Sequence, residues 1–375
     1  MSTSTEHDRK KRQAIIHPLA GADLGVYFQR YFANRPYGRP PSRSRGLTTL
    51  ANCARWPFSM YEWLRFDGKV RRQGVPRNPI FIVGHWRSGT THLHNLMSQD
   101  PRFAWLTTGQ TVLPSNMLGA ATQLIYQILR QRLPEKRSFD NVRLRVDAPQ
   151  EEEIALGNLS QLSYFNCYYY PRRFQKNFAK SVLMQDVTDA ERTEFSRGYQ
   201  TLAARLSFLN GERQLLFKNP ASTARLLLLK ELFPEAKFIH IVRDPYVVFS
   251  SSLQRLNPML NAFAWQSWDH LDLESIVIDC YRMLMQQYLE QASQIPAGDL
   301  VETSYEALVA APHDELARIC AALQMPDYDD ARVHIDRYLQ SVGNYQLNEH
   351  SLTPQQIQRI ETEWRFAIDH WGYAR

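Results

Sequence analysis

Cysteine is scarce in this 375-residue chain: Cys53, Cys167, Cys280 and Cys320 lie far apart, with no C-x-x-C pair and no spacing suited to a metal. That excludes a disulfide framework and a thiolate metal centre, and it predicts four core thiols in a reducing cytoplasm. Long apolar runs are missing as well. None approaches the ~18 residues a membrane span requires, and the start, "MSTSTEHDRKKRQ", has no apolar stretch of the kind that directs secretion. A soluble, cytoplasmic protein is expected. Internal repeats and low-complexity tracts are also absent, so solenoids and disordered polymers drop out, and 44% hydrophobic content leaves ample material for a large core.

Acidic residues are thin at one end only. Residues 1–75 hold 14 Lys/Arg against 5 Asp/Glu, so with +6 overall the remaining 300 residues are slightly acidic. Arg39, Arg43, Arg45, Arg55, Arg65, Lys69, Arg71 and Arg72 interleave there with Trp56, Phe58, Tyr61, Trp63 and Phe66. Such a segment can be a solvated basic layer or can lie against an anionic membrane surface. No nucleic-acid recognition motif accompanies the charge, so a nucleic-acid partner is not expected.

The sharpest punctuation is "RPYGRPPSRSRG", residues 35–46, expected as a loop that closes a basic N-terminal extension over residues 1–46. Beyond it, strand–loop–helix units recur. Ile80 to Val83 reads as a buried strand, followed by a helix from Thr90 to Gln99. Leu215 to Phe217 is a second strand, ending in Lys218, with Asn219 as N-cap and Pro220 opening the next helix. Phe238 to Val242 is a third, with Arg243 at its end, Asp244 capping and Pro245 starting a helix; Leu300 to Thr303 is a fourth. The alternation predicts an α/β fold: a central parallel sheet with helices on both faces, as a three-layer sandwich, with ligands outside the carboxyl ends of the strands. Residues from about 104 to 213 break the rhythm and are expected as a large helical insertion shaping an acceptor pocket.

The chemistry starts at "GHWRSGTTHL". Gly84, Gly89 and Thr91 fit the phosphate-cradling G-x-x-x-x-G-K-[ST] loop, but Thr90 replaces its lysine. That lysine bridges β- and γ-phosphates, and the hydroxyl beside it holds Mg²⁺; a nucleotide with one phosphate in the loop needs neither. Backbone amides of residues 88–91 at a helix N-terminus still cradle an anion, and Arg87 supplies charge from another position. The third strand is followed by Arg243 where a Mg²⁺-dependent NTPase places an acid, so this end binds an anion and not a metal. Ser251 lies about two helical turns on. One 5′-phosphate group in the loop and a second phosphate at the third strand is the reading these substitutions share.

"RSGTTHL" resembles the 5′-phosphosulfate loop of sulfotransferases that use 3′-phosphoadenosine 5′-phosphosulfate, and "IVRDPYVVFSSS" resembles their 3′-phosphate segment. "FKNP" between them and "SYEALVAAP" after them extend the likeness over roughly residues 79–325. The resemblance implies a single P-loop-type sulfotransferase domain over residues 47–375 and this nucleotide as co-substrate, with no metal. It places Ser88, Gly89, Thr90 and Thr91 on the 5′-phosphosulfate and Arg87 as the loop's catalytic cation. It also sets His92 near the adenine, Arg243 and Ser251 on the 3′-phosphate, and Lys218 toward the transferring group. The reaction implied is in-line sulfuryl transfer to a hydroxyl of a small-molecule, lipid or carbohydrate acceptor.

A base for that hydroxyl is expected among Glu151, Glu152 and Glu153 in "DAPQEEEIAL", which resembles an acidic segment of bacterial relatives; His85, His92 and His94 are rivals. The same acids also suit the first turn of a helix. Two other functions stay open on the sequence: a P-loop kinase with a degenerate loop, and a non-catalytic protein binding polyanions or membrane surfaces.

Overall fold

The computed structural model describes residues 17–37, 42–119, 146–342 and 352–373. Five parallel strands form one sheet: β1 (Ile80–Val83), β2 (Phe103–Ala104), β3 (Gln214–Lys218), β4 (Lys237–Val242) and β5 (Leu300–Ser304), in the order β2-β3-β1-β4-β5. Strands buried on both faces read as unbroken apolar runs, and "IFIV" in β1 is buried at all four positions. Ile80 and Ile82 join Leu93, Leu96, Ile239 and Ile241 in one core layer. Phe81 and Val83 point to the other, where Phe81 stacks between Phe217 and Phe238 with ring centroids 5.5 and 5.6 Å away.

The helices that matter here are α1 (Leu24–Ala33), α2 (Ser42–Gln73), α3 (Thr90–Met97), α4 (Glu153–Leu159), α5 (Asp189–Asn210), α6 (Pro245–Phe263), α7 (Leu273–Ala292) and α8 (Tyr305–Ala310). All four predicted strands form. Asn219 caps as expected, its side chain accepting from the Ala221 amide 3.0 Å away, and so does Asp244, accepting from Tyr246 at 2.8 Å. The residues described between 105 and 213 are helical or irregular, as predicted; residues 120–145 of that insertion lie outside the described ones.

Three expectations are corrected. A fifth strand, β2, pairs Phe103 and Ala104 with Gln214 and Leu215; two residues are too few to leave a periodic signal. The loop read over residues 35–46 ends early, because α2 starts at Ser42 and runs 32 residues through Gly46 and Pro57. Tertiary anchors override the local breakers. Asn52 donates to the Leu19 carbonyl at 2.8 Å, Arg55 to Ala22, and the Glu62 carboxylate accepts the amides of Leu118 and Gly119 at 2.9 and 2.7 Å. Finally, Cys53 stands exposed on α2 while Cys167, Cys280 and Cys320 are buried thiols.

Of the expected N-terminal extension, residues 1–16 lie outside the described ones, whereas Leu19, Ala22 and Tyr27 sit in the main core. The strand order also fixes where a ligand fits. After β1 the chain builds β2 and β3 on one side, then crosses to build β4 and β5 on the other. The switch therefore falls between the carboxyl ends of β1 and β4, where sheets of this kind leave a crevice.

Candidate active site

Two glycines shape the turn after β1. Gly84 has φ +143, and a Cβ there would lie 2.3 Å from the Ile241 carbonyl oxygen; its amide donates to Thr223 Oγ1 at 2.7 Å. Gly89 has φ +96, and a Cβ would lie 2.4 Å from the Tyr305 ring. Between them the loop closes on itself, the Ser88 hydroxyl and amide both donating to the His85 carbonyl at 2.7 and 3.1 Å. No side chain caps α3, which starts at Thr90, so the amides of its first turn face the loop's concavity. Thr90 is buried; Thr91 and Gly89 are half-buried at the rim.

Arg87 holds φ +75, an uncommon conformation for a residue with a side chain. Its Nε donates to Ser251 Oγ at 2.7 Å, reaching α6. From the tip of β4, Arg243 donates to the Arg87 carbonyl at 3.2 Å, and its guanidinium lies over the Tyr305 ring, 4.2 Å from the centroid. The two strand ends at which the sequence predicts anion pockets are thus contiguous. Arg87, Arg243 and Ser251 meet in the β1/β4 crevice, next to open helix amides.

At β3 the three glutamates separate. Glu153 is buried against the guanidinium of Arg225 at 3.0 Å, accepts from Asn219 Nδ2 at 2.7 Å and from the Tyr164 amide, and holds the start of the insertion to the sheet. Glu152 is also fully buried. Its carboxyl accepts from the Tyr199 hydroxyl at 2.5 Å and from the Lys218 amide at 3.1 Å, and burial, opposed by the Tyr199 bond, pushes its pKa up to about 7. Glu151 differs: its carboxylate is partly accessible and lies 3.0 Å from Lys218 Nζ. Of the three, Glu151 is the least buried, and its carboxylate is the one paired with the Lys218 ammonium.

The histidines divide similarly. His85 is buried with Nδ1 on the Trp86 carbonyl, and burial pulls its pKa down to about 3. His94 is buried too, its pKa driven well below the usual value by burial and the charge of Lys218; neither ring nitrogen has a partner among the described residues. His92 is half-buried beside the rings of Tyr305 and Tyr338, at 6.2 and 6.4 Å, at the edge of the loop. Beside the loop runs an aromatic cavity in which Trp86 stacks on Tyr164 at 4.0 Å, with Tyr168, Phe174, Ile276 and Arg255 in its wall. Tyr164, Tyr168 and Phe174 come from the insertion.

Sequence reasoning missed Tyr305, Thr223 and Arg225. Tyr305 had a signal, its place in "SYEAL" directly after a strand end. Thr223 and Arg225 had none, since what each contacts is distant in sequence.

Comparison with known proteins bears on the family and the fold. The model of a family described as the sulfotransferase family matches residues 79–330. A curated relative, the omega-hydroxy-beta-dihydromenaquinone-9 sulfotransferase Stf3 of Mycobacterium bovis, is 28% identical over 329 residues, covering 88% of this chain and 84% of that protein; its Mycobacterium tuberculosis counterpart matches equally. The crystal structure of sulfotransferase STF9 from Mycobacterium avium shares the fold, with a TM-score of 0.66 at 18% identity over 92% of this chain and 89% of the other. STF1 from Mycobacterium tuberculosis gives 0.60 at 17% identity, over 91% and 87%.

Proposed function

The chain belongs to the sulfotransferase family, and from that premise we propose that it carries a sulfuryl group from 3′-phosphoadenosine 5′-phosphosulfate to the hydroxyl of an apolar, lipid-like acceptor. The observation that carries the donor is the convergence of Arg243, Ser251 and the Arg87 loop at one crevice. The open amides of α3 suit a 5′-phosphosulfate, and Arg243 with Ser251 suits the 3′-phosphate. A phosphate at Ser251 competes for the hydroxyl that Arg87 now holds, which frees Arg87 to face the transferring group.

In the reaction the acceptor oxygen forms a bond to sulfur as the bond from sulfur to the bridging phosphate oxygen breaks. Negative charge grows on that bridging oxygen, where Arg87 and Lys218 supply fixed cations. Glu151 takes the acceptor proton. Its pairing with Lys218 Nζ sets base and cation side by side, so the leaving charge and the departing proton are handled by adjacent groups. Support for the acceptor class comes from the relative whose name specifies a hydroxylated menaquinone; the aromatic cavity at Trp86 and Tyr164, only about 30 Å³, supplies apolar walls near the loop and no room for a lipid chain as it stands.

Turnover of the labelled donor with a long-chain isoprenoid alcohol checks this reading. Glu151→Gln keeps the shape of the Lys218 contact and is expected to lower kcat by roughly 10²–10³ with little change in donor affinity. Native turnover in that variant would move the base elsewhere, and failure of the native chain to sulfate any hydroxyl lipid would refute the acceptor class.

A further inference from the structure

Helix α2 shows the core an unusual side. Thr48, Asn52, Arg55, Glu62 and Val70, spaced by threes, fours and their sums, are buried against the N-terminal segment and the insertion. The opposite side holds Leu47, Leu50, Met60, Tyr61 and Leu64, between 42% and 70% exposed, with Trp56, Phe58 and Trp63 exposed on its flanks. So long an apolar strip on a protein surface implies an occupant.

The charges around the strip identify it. Past Leu64 the helix ends in Arg65, Lys69, Arg71 and Arg72, all exposed. Its two acids offer nothing to a basic partner: Glu62 is buried on the amides of Leu118 and Gly119, and Asp67 pairs with Arg71 at 2.8 Å. A second copy of this chain laid on the strip would bring like charges together with no exposed, unpaired acid on α2 to receive them. No described helix is long and apolar enough to cross a membrane. A helix with apolar side chains, tryptophans and tyrosine outward and a basic end has the composition of one lying in the plane of a bilayer, its rings at headgroup depth.

We propose that α2 docks flat on an anionic phospholipid surface. Leu47, Leu50, Met60 and Leu64 enter the acyl boundary, and Arg65, Lys69 and Arg72 rest on the headgroups. The exposed strip includes none of the residues assigned here to donor, cation or base, so the inference holds whichever acceptor is sulfated.

Sedimentation of the full chain with vesicles of phosphatidylcholine containing about 30% phosphatidylglycerol, and with phosphatidylcholine alone, decides it. The native chain is expected to pellet with the anionic vesicles and to be released as salt screens the headgroups. The double variant Leu50→Ser/Leu64→Ser is expected to lose about tenfold or more of this partition. Both side chains are exposed, so its thermal midpoint is expected to match the native one, and Arg65→Glu/Lys69→Glu tests the charge separately. Equal partition of the native chain and both variants overturns the proposal, as does a native chain that stays in the supernatant. So does a concentration-dependent dimer in lipid-free solution that Leu50→Ser/Leu64→Ser abolishes, since the strip would then belong to a second copy.

Discussion

Glu152 shows how much of a site one carboxyl group can decide. It is wholly buried, bonded to Tyr199 and to the backbone of Lys218, and its pKa of about 7 stands well above the ordinary 4.5. The folded chain therefore keeps a proton that the unfolded chain releases across that window. By linkage, the contribution of this group falls as pH rises from about 4.5 to about 7. Glu152→Gln removes the titration. The difference in unfolding free energy between variant and native chain is expected to move in the variant's favour by up to about 1.4 kcal/mol per pH unit inside that window, and to be flat outside it. Denaturant unfolding at a series of pH values measures this; parallel curves for the two chains would mean that Glu152 titrates in the fold as it does in the unfolded chain. Residue type and spacing marked "EEE" as chemistry but gave no way to rank its members. Burial ranks them, and burial depends on Tyr199 and Arg225, which approach from other elements.

At the scale of elements, the units with strong local signals were legible. β1, β3, β4 and β5 announced themselves as apolar runs ending in polar residues, and the caps Asn219 and Asp244 followed from their place before proline. The misread elements are those where distant contacts decide: β2, recruited by the edge of β3, and α2, kept helical through Pro57 by anchors at Asn52, Arg55 and Glu62. The glycine loop depends on both kinds of information. Gly89 needs its positive φ, which is local, and space beneath the Tyr305 ring, which is not. Gly89→Ala is expected to cost about 1–2 kcal/mol in backbone strain and to displace the ring on which Arg243 rests. Calorimetry should show affinity for 3′-phosphoadenosine 5′-phosphate falling by more than about tenfold. Gly68→Ala, in open space on α2, is the control and is expected to leave affinity unchanged.

For the whole molecule, topology does the assembling. Because the chain builds β3 on one side of β1 and β4 on the other, motifs more than 150 residues apart end at one crevice, and Arg243 reaches back to the carbonyl of Arg87. The sequence pointed to two strand ends as places for a phosphate; the contact between those strand ends is a property of strand order, which no local pattern encodes. The central claim is that this crevice grips both phosphates of one adenosine nucleotide. Thermal unfolding with 3′-phosphoadenosine 5′-phosphate, AMP and ATP, on the native chain and on Arg243→Ala, tests it most directly. Selective stabilisation by the bisphosphate is predicted, about 2.7 kcal/mol at a hundredfold excess over Kd, with loss of that selectivity in the variant. An equal response to AMP, or a bisphosphate response that survives Arg243→Ala, would contradict it.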